Sequence, residues 1–124
     1  MTNLTPQVID RARGVTVGMA VGDALGAPVE FDPPEQIAGL REELFAFPGG
    51  CGWDPGEFTD DTQMSIAVAE LLVSQAEWAS ETIASKFVEC FKRDPRKGYS
   101  KGFYALLNEV ESGVELIKKL KNDS

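Results

Sequence analysis

Residues 59–75, TDDTQMSIAVAELLVSQ, decide the fold of this chain. Beyond the polar start of this stretch, apolar side chains fall on nearly every helical face. They are Met64, Ile66, Ala67, Val68, Ala69, Leu71, Leu72 and Val73. A helix that is apolar on all sides is typical of a buried position, because each face needs other protein surface to cover it. The stretch predicts a buried central helix over residues 60–75, with Thr59 or Asp60 as its N-cap.

A second long helix is predicted over residues 6–25. Thr5 followed by Pro6 is typical of an N-cap with proline at the first helical position, where the missing N–H costs nothing. The helix carries glycines at four-residue spacing, Gly14, Gly18 and Gly22. Each glycine costs about 1 kcal/mol against alanine in a helix interior, so this glycine stripe needs a compensating contact. We expect the stripe to pack against the central helix.

Helical spacing continues through the rest of the chain. A short helix at residues 35–43 precedes a loop at residues 47–56 that is rich in glycine and proline. Ser80 is the expected cap of a helix that ends before Pro95. Apolar residues at three- and four-residue steps then predict helical structure from Phe103 onward.

No segment shows the two-residue alternation that is typical of a strand. The predicted fold class is therefore all-α, a helical bundle around a buried central helix. The length of 124 residues fits one hydrophobic core, so we expect a single domain over residues 1–124.

The composition limits the possible chemistry. The chain has 20 acidic and 12 basic side chains and no histidine, which gives a formal charge of −8. Without histidine, every mechanism that needs an imidazole base or an imidazole metal ligand is excluded. Acid–base work would therefore rely on carboxylates.

The charge is uneven along the chain. Residues 1–85 carry 14 acidic and 3 basic side chains, a net charge of −11, whereas residues 86–124 carry 6 acidic and 9 basic ones. An acidic surface repels phosphate backbones and attracts divalent cations, so nucleic acid is not an expected partner.

No apolar run is long enough for a membrane span. Cys51 and Cys90 lie in unrelated segments, which favours a reducing, cytoplasmic setting.

The strongest candidate site is the start of the central helix, at Thr59, Asp60 and Asp61. One interpretation is structural, because acidic side chains in a first turn complement the helix dipole. However, two adjacent carboxylates at the end of an apolar helix repel each other unless a cation or a proton intervenes. Hard oxygen ligands suit magnesium, calcium or manganese. The pattern leaves both interpretations open.

A second candidate lies where the glycine-striped helix ends, at Asp23 and Glu30. Hydrogen bonding to nearby backbone explains Asp23, and surface exposure before a proline turn explains Glu30. The segment Gly98-Tyr99-Ser100-Lys101-Gly102 fits no phosphate-loop motif and is typical of an interhelical turn.

Three segments in this order resemble the N-terminal part of the ADP-ribosylglycohydrolase family, which includes the dinitrogenase reductase activating glycohydrolases. They are GVTVGMAVGDALGAPVE at residues 14–30, PGEFTDDTQM at residues 55–64 and RKGYSKGF at residues 96–103. The resemblance extends over nearly the whole chain. Its most specific element is the Thr-Asp-Asp-Thr segment after the Gly-Asp-Ala-x-Gly helix.

The resemblance implies an all-helical hydrolase in which two Mg²⁺ or Mn²⁺ ions bind ADP-ribose, and which cleaves its bond to an arginine or, less often, another side chain. Thr59, Asp60 and Asp61 match the family's first metal ligands. Glu30 matches a glutamate at the metal and ribose pocket, and Asp23 matches an aspartate that supports it. The catalytic candidates are therefore Glu30, Asp60 and Asp61, and the expected partner is an ADP-ribosylated protein or ADP-ribose.

The family's later Asp-x-Asp-Thr segment and its glycine-rich loop do not occur in these 124 residues. We therefore expect the N-terminal part of such an enzyme, with an incomplete ligand set and weak or no activity alone. The alternative is a non-enzymatic helical module that packs with a complementary C-terminal chain or with a second copy of itself.

Overall fold

The computed structural model describes residues 5–39, 54 and 56–122. These residues form six α-helices and no strand, which confirms the all-α class. The helices are α1 (Pro6–Gly26), α2 (Pro34–Gly39), α3 (Asp60–Ser74), α4 (Ser80–Arg93), α5 (Lys101–Glu109) and α6 (Gly113–Asn122). The end of the short helix predicted at residues 35–43, and most of the loop predicted at 47–56, lie outside the described residues.

The chain divides into two compact units, Met1–Phe58 and Thr59–Ser124. The predicted contact between the glycine stripe of α1 and α3 joins one unit to the other, so that contact stays a prediction.

The first unit is built on α1. The Thr5 side chain accepts a hydrogen bond from the Val8 N–H at 3.4 Å, as the N-cap prediction requires. The helix ends in a 3-10 turn, Ala27–Val29, whose three residues are buried. Among the described residues of this unit, no neighbouring atom lies within 4 Å of a Cβ built on any glycine of the stripe. Across the described ranges, 5–39 and 56–122, no helix has the length and apolar character that crossing a membrane requires.

The second unit has its hydrophobic core around α4, which packs against α3, α5 and α6. Phe91, in the last turn of α4, is fully buried. Tyr99 and Tyr104 meet its ring edge-on, with centroid separations of 5.7 and 5.2 Å. The buried members of the core are Ala84, Val88, Phe91, Leu107, Val110 and Leu116.

Helix α3 is buried on one face within this unit. Its buried residues are Thr62, Gln63, Ala67 and Leu71. Leu72 and Val73 are 61% and 84% exposed, although the sequence led us to expect every face covered. The reason is that α4 contacts α3 from one side.

The ends of the helices in this unit follow local hydrogen-bonding rules, with one difference from expectation. Ser80 is the first residue of α4 and does not cap it, because Ala79 is the N-cap and supplies no side-chain bond. At α6, the Ser112 hydroxyl accepts from the Glu115 N–H, and the Glu115 carboxylate accepts from the Glu111 N–H at 2.8 Å. This reciprocal pair satisfies two donors that the helix itself leaves unpaired.

Helix α3 is followed by its C-cap, Gln75, whose φ of 54° lies in the left-handed region. Glycine adopts this conformation at no steric cost, whereas other residues carry a penalty of roughly 1 kcal/mol. We expect Gln75→Gly to raise the free energy of unfolding by about 0.5–1 kcal/mol in urea titrations. Gln75→Ala, which keeps the Cβ, should give no increase. A stabilisation by both variants would show that the backbone conformation is not the cause.

Candidate functional site

The start of α3 brings three oxygen-bearing side chains together. Thr59 is buried, Asp60 is half-buried and Asp61 is exposed. The Thr59 hydroxyl accepts a hydrogen bond from the Asp61 N–H at 3.3 Å, and the Thr59 carbonyl accepts from the Gln63 N–H at 3.1 Å. Of the two caps that the sequence allowed, Thr59 and Asp60, the structure has Thr59, and the two carboxylates follow it in the first turn.

The segment at residues 94–100, which we call the site loop, lies directly against this helix start. The backbone N–H of Asp60 donates to the carbonyl of Lys97 at 2.9 Å, so the loop satisfies a donor that α3 cannot satisfy itself. Gly98 has a φ of +110°, and a Cβ built there would collide with the Asp60 carboxylate. The positive φ favours glycine at this position, and its lack of a side chain lets the loop lie close to the Asp60 carboxylate.

A buried amide holds the same two elements together one turn further along α3. Gln63 is 4% exposed. Its side-chain Nε2 donates to the carbonyls of Cys90, at 3.2 Å, and Asp94, and its Oε1 accepts from the Tyr99 hydroxyl at 2.9 Å. Gln63 thus links α3 to the end of α4 and to the site loop.

The surroundings of Tyr99 disfavour ionisation of its hydroxyl. Burial raises the pKa of Tyr99 to about 12, and the negative charge of Asp60 acts in the same direction. At neutral pH the phenol is therefore a hydrogen-bond donor, which is the role it has toward Gln63.

A charged cluster joins α3 and α4 on the outside of the unit. Glu70 accepts from Arg93 at 2.7 Å and lies 3.6 Å from Lys86. The hydrogen bond from Arg93 lowers the pKa of the Glu70 carboxyl. The neighbouring Cys90 is buried, and burial raises the pKa of its thiol, which suits a packing role better than a nucleophilic one.

The donor atoms at the start of α3 suit a hard divalent cation in type. Two carboxylates and a hydroxyl are oxygen ligands of the kind that Mg²⁺ and Mn²⁺ prefer. Within the described residues, no group of three acidic or cysteine side chains is placed to hold a metal ion. The start of α3 therefore offers ligand types that suit Mg²⁺ or Mn²⁺, but fewer carboxylates than a complete metal site would contain.

Glu30 and Asp23 belong to the first unit. Glu30 follows the 3-10 turn and is exposed, and its N–H donates to the Ala27 carbonyl at 3.5 Å. The Asp23 carbonyl accepts from the Ala27 N–H at the end of α1. Since Asp60 and Asp61 lie in the second unit, a site that unites all four residues stays a prediction.

Comparison with known proteins places the chain in a family. The family model for ADP-ribosylglycohydrolase matches residues 4–122. The chain belongs to the ADP-ribosylglycohydrolase family.

Curated members of the ADP-ribosylglycohydrolase family align with most of this chain. It is 40% identical over 96 residues to the ADP-ribosyl-[dinitrogen reductase] glycohydrolase of Rhodospirillum rubrum. The alignment covers 73% of this chain and 31% of the relative. It is 38% identical over 92 residues to the ADP-ribosylarginine hydrolase Tri1 of Pseudomonas putida, over 72% of this chain and 24% of the relative. With human ADP-ribosylhydrolase ARH3 it shares 32% identity over 108 residues, 82% of this chain and 30% of the relative.

The chain thus spans 24–31% of the length of these relatives. No solved structure matches it.

Gln63 and Tyr99 lie in segments that the sequence analysis quoted, but it assigned neither residue a role in holding the site loop. A signal was present, because Gln63 is a polar residue in the first turns of an otherwise apolar helix. Its partners lie 27 and more residues away, however, so the sequence offered no way to choose them.

Proposed function

We propose that this chain carries part of the active site of a metal-dependent hydrolase that removes ADP-ribose from modified protein side chains, with arginine as the first candidate. The observation that carries the proposal is the set of adjacent oxygen donors at the start of α3, Thr59, Asp60 and Asp61, in a family member. Two relatives, named as an ADP-ribosyl-[dinitrogen reductase] glycohydrolase and an ADP-ribosylarginine hydrolase, support the substrate class. The buried free thiol of Cys90 supports a cytoplasmic setting.

In this proposal, Thr59, Asp60 and Asp61 hold Mg²⁺ or Mn²⁺, and Glu30 and Asp23 are the further candidates that the family resemblance gives. A bound metal ion supplies two things: it orients oxygen groups of the substrate, and it lowers the pKa of a bound water. That chemistry suits a chain without histidine, because no imidazole base is then needed. The hydrogen bond from the Asp60 N–H to the Lys97 carbonyl holds the backbone from which the Asp60 carboxylate extends.

A second candidate function is a non-enzymatic module that packs with a helical partner or a second copy. The observation in its favour is the exposed apolar surface of the chain. Val15 and Val17 of α1 are 73% and 62% exposed, and Val73 of α3 is 84% exposed. Exposed apolar side chains that adjoin one another, such as Val17 and Val21 one turn apart on α1, are typical of surfaces that another protein covers.

The metal proposal predicts a specific loss of cation binding. Mn²⁺ titration followed by electron paramagnetic resonance should detect weak binding to the wild-type chain. The double variant Asp60→Asn, Asp61→Asn should bind about tenfold more weakly or not at all, because each change removes an anionic oxygen ligand. The double variant Glu77→Gln, Glu81→Gln removes the same charge from exposed positions beyond the end of α3 and should bind like the wild type. Equal affinity for all three proteins would exclude the start of α3 as the site.

A hydrolysis assay separates the two candidate functions. We expect the 124 residues alone to release little ADP-ribose from ADP-ribosylarginine. A fusion to the part of the Rhodospirillum rubrum relative that this chain does not cover should release it with Mg²⁺, and the Asp60→Asn, Asp61→Asn change should abolish that release. A fusion that binds Mn²⁺ and releases nothing would favour the non-enzymatic module.

A further inference from the structure

We infer that the hydrogen bond between Gln63 and Tyr99 is a positioning device, which holds the site loop against the first turn of α3 and thereby fixes Asp60. The inference deepens the proposed function and rests on it for the role of Asp60. Gln63 and Tyr99 are positioning residues, since they act through the loop rather than on a substrate.

The first step is that Gln63 uses both ends of its amide. Nε2 donates to the carbonyls of Cys90 and Asp94, and Oε1 accepts from the Tyr99 hydroxyl. A buried amide that lost one of these bonds would keep an unpaired polar atom away from water, which is costly. The amide therefore favours one arrangement of the loop, in which Tyr99 reaches it.

The second step connects Tyr99 to Asp60. Lys97, whose carbonyl accepts from the Asp60 N–H, lies two residues before Tyr99, and Gly98 between them contacts the Asp60 side chain. A displacement of Tyr99 would therefore shift two groups that lie against Asp60, the Lys97 carbonyl and Gly98. The hydroxyl of Tyr99 thus controls the position of Asp60 without contacting it.

The third step separates the hydroxyl from the ring. The Tyr99 ring packs against Phe91 and Phe103, both at 5.7 Å between centroids. Tyr99→Phe keeps these contacts and removes only the hydrogen bond to Gln63. Tyr104→Phe is the matched control, because Tyr104 packs edge-on against the same Phe91 and no hydrogen bond joins it to the start of α3 in the described residues.

Amide hydrogen exchange measured by NMR on the full chain tests the inference without any metal. Tyr99→Phe should speed exchange at the Asp60 N–H about tenfold more than at the Ile83 N–H, which is bonded to Ala79 at the opposite end of α4. Tyr104→Phe should change the exchange rates of the Asp60 and Ile83 amides by equal factors. In a Gln63→Met background, Tyr99→Phe should add nothing further, because its partner is already gone.

Equal acceleration of both amides by Tyr99→Phe would overturn the inference, because the bond would then contribute only to global stability. Mn²⁺ titration of the same proteins adds a second readout. If Tyr99→Phe binds Mn²⁺ more weakly than the wild type, Tyr99 also positions the oxygen donors at the start of α3. If Tyr99→Phe changes the exchange at Asp60 but binds Mn²⁺ with wild-type affinity, the role of Tyr99 in positioning those donors is overturned. A wild-type chain that binds no Mn²⁺ would contradict the proposed function, and the exchange comparison would still decide whether Tyr99 positions Asp60.

Discussion

Gly113→Ala is expected to lower the free energy of unfolding by about 3 kcal/mol, because the first turn of α6 lies directly on α4. A Cβ built on Gly113 would collide with the backbone of Ser85 as well as its side chain, with the Ser85 Cα at 2.6 Å. A flexible side chain could rotate away, but helix backbone cannot. The α4–α6 contact would have to open, and it includes buried Val88 and Leu116.

Gly102→Ala is the matched control for Gly113→Ala. Gly102 lies in α5, and a Cβ there would have nothing within 4 Å. Alanine is the better helix former, so this variant should be neutral or more stable by about 0.5 kcal/mol. Urea unfolding followed by circular dichroism measures the free energy of unfolding of both variants. Similar losses for the two variants would show that the effect comes from helix propensity or the unfolded state rather than from the contact with Ser85.

Gly98→Ala is expected to cost about 3 kcal/mol as well, and to weaken Mn²⁺ binding. Two effects add at this position. A φ of +110° is strained for any residue with a Cβ, and the new methyl would enter the space of the Asp60 carboxylate. The chain can relieve the collision only by moving the site loop or the Asp60 side chain. Either movement disturbs the start of α3.

Gly56→Ala separates these two effects. Gly56 also has a positive φ, +79°, but no atom lies within 4 Å of a Cβ built there. Its substitution should carry only the conformational cost, about 1–2 kcal/mol, and leave Mn²⁺ affinity unchanged. If Gly98→Ala and Gly56→Ala had the same effects on unfolding and on Mn²⁺ binding, the collision with Asp60 would contribute nothing.

Several features of the fold were predictable because they depend on local sequence. Thr5 and Thr59 cap α1 and α3 as predicted, since a side-chain oxygen next to a helix start needs only its own neighbours. The helical period of apolar residues predicted the all-α class for the same reason. The cap of α4 was missed, because the sequence offers Ser80 and the helix begins one residue too early to use it.

The sequence by itself determined the class of the fold, the family and the donor atoms at the start of α3, because each depends on residue types at fixed spacing along the chain. Only the tertiary structure decided that Gln63, Tyr99 and Gly98 hold the site loop against Asp60. Those contacts join residues about 30 or more positions apart, and their partners are mostly backbone carbonyls, which every residue possesses. A backbone carbonyl carries no sequence signal, so its pairing is fixed only when the helices pack.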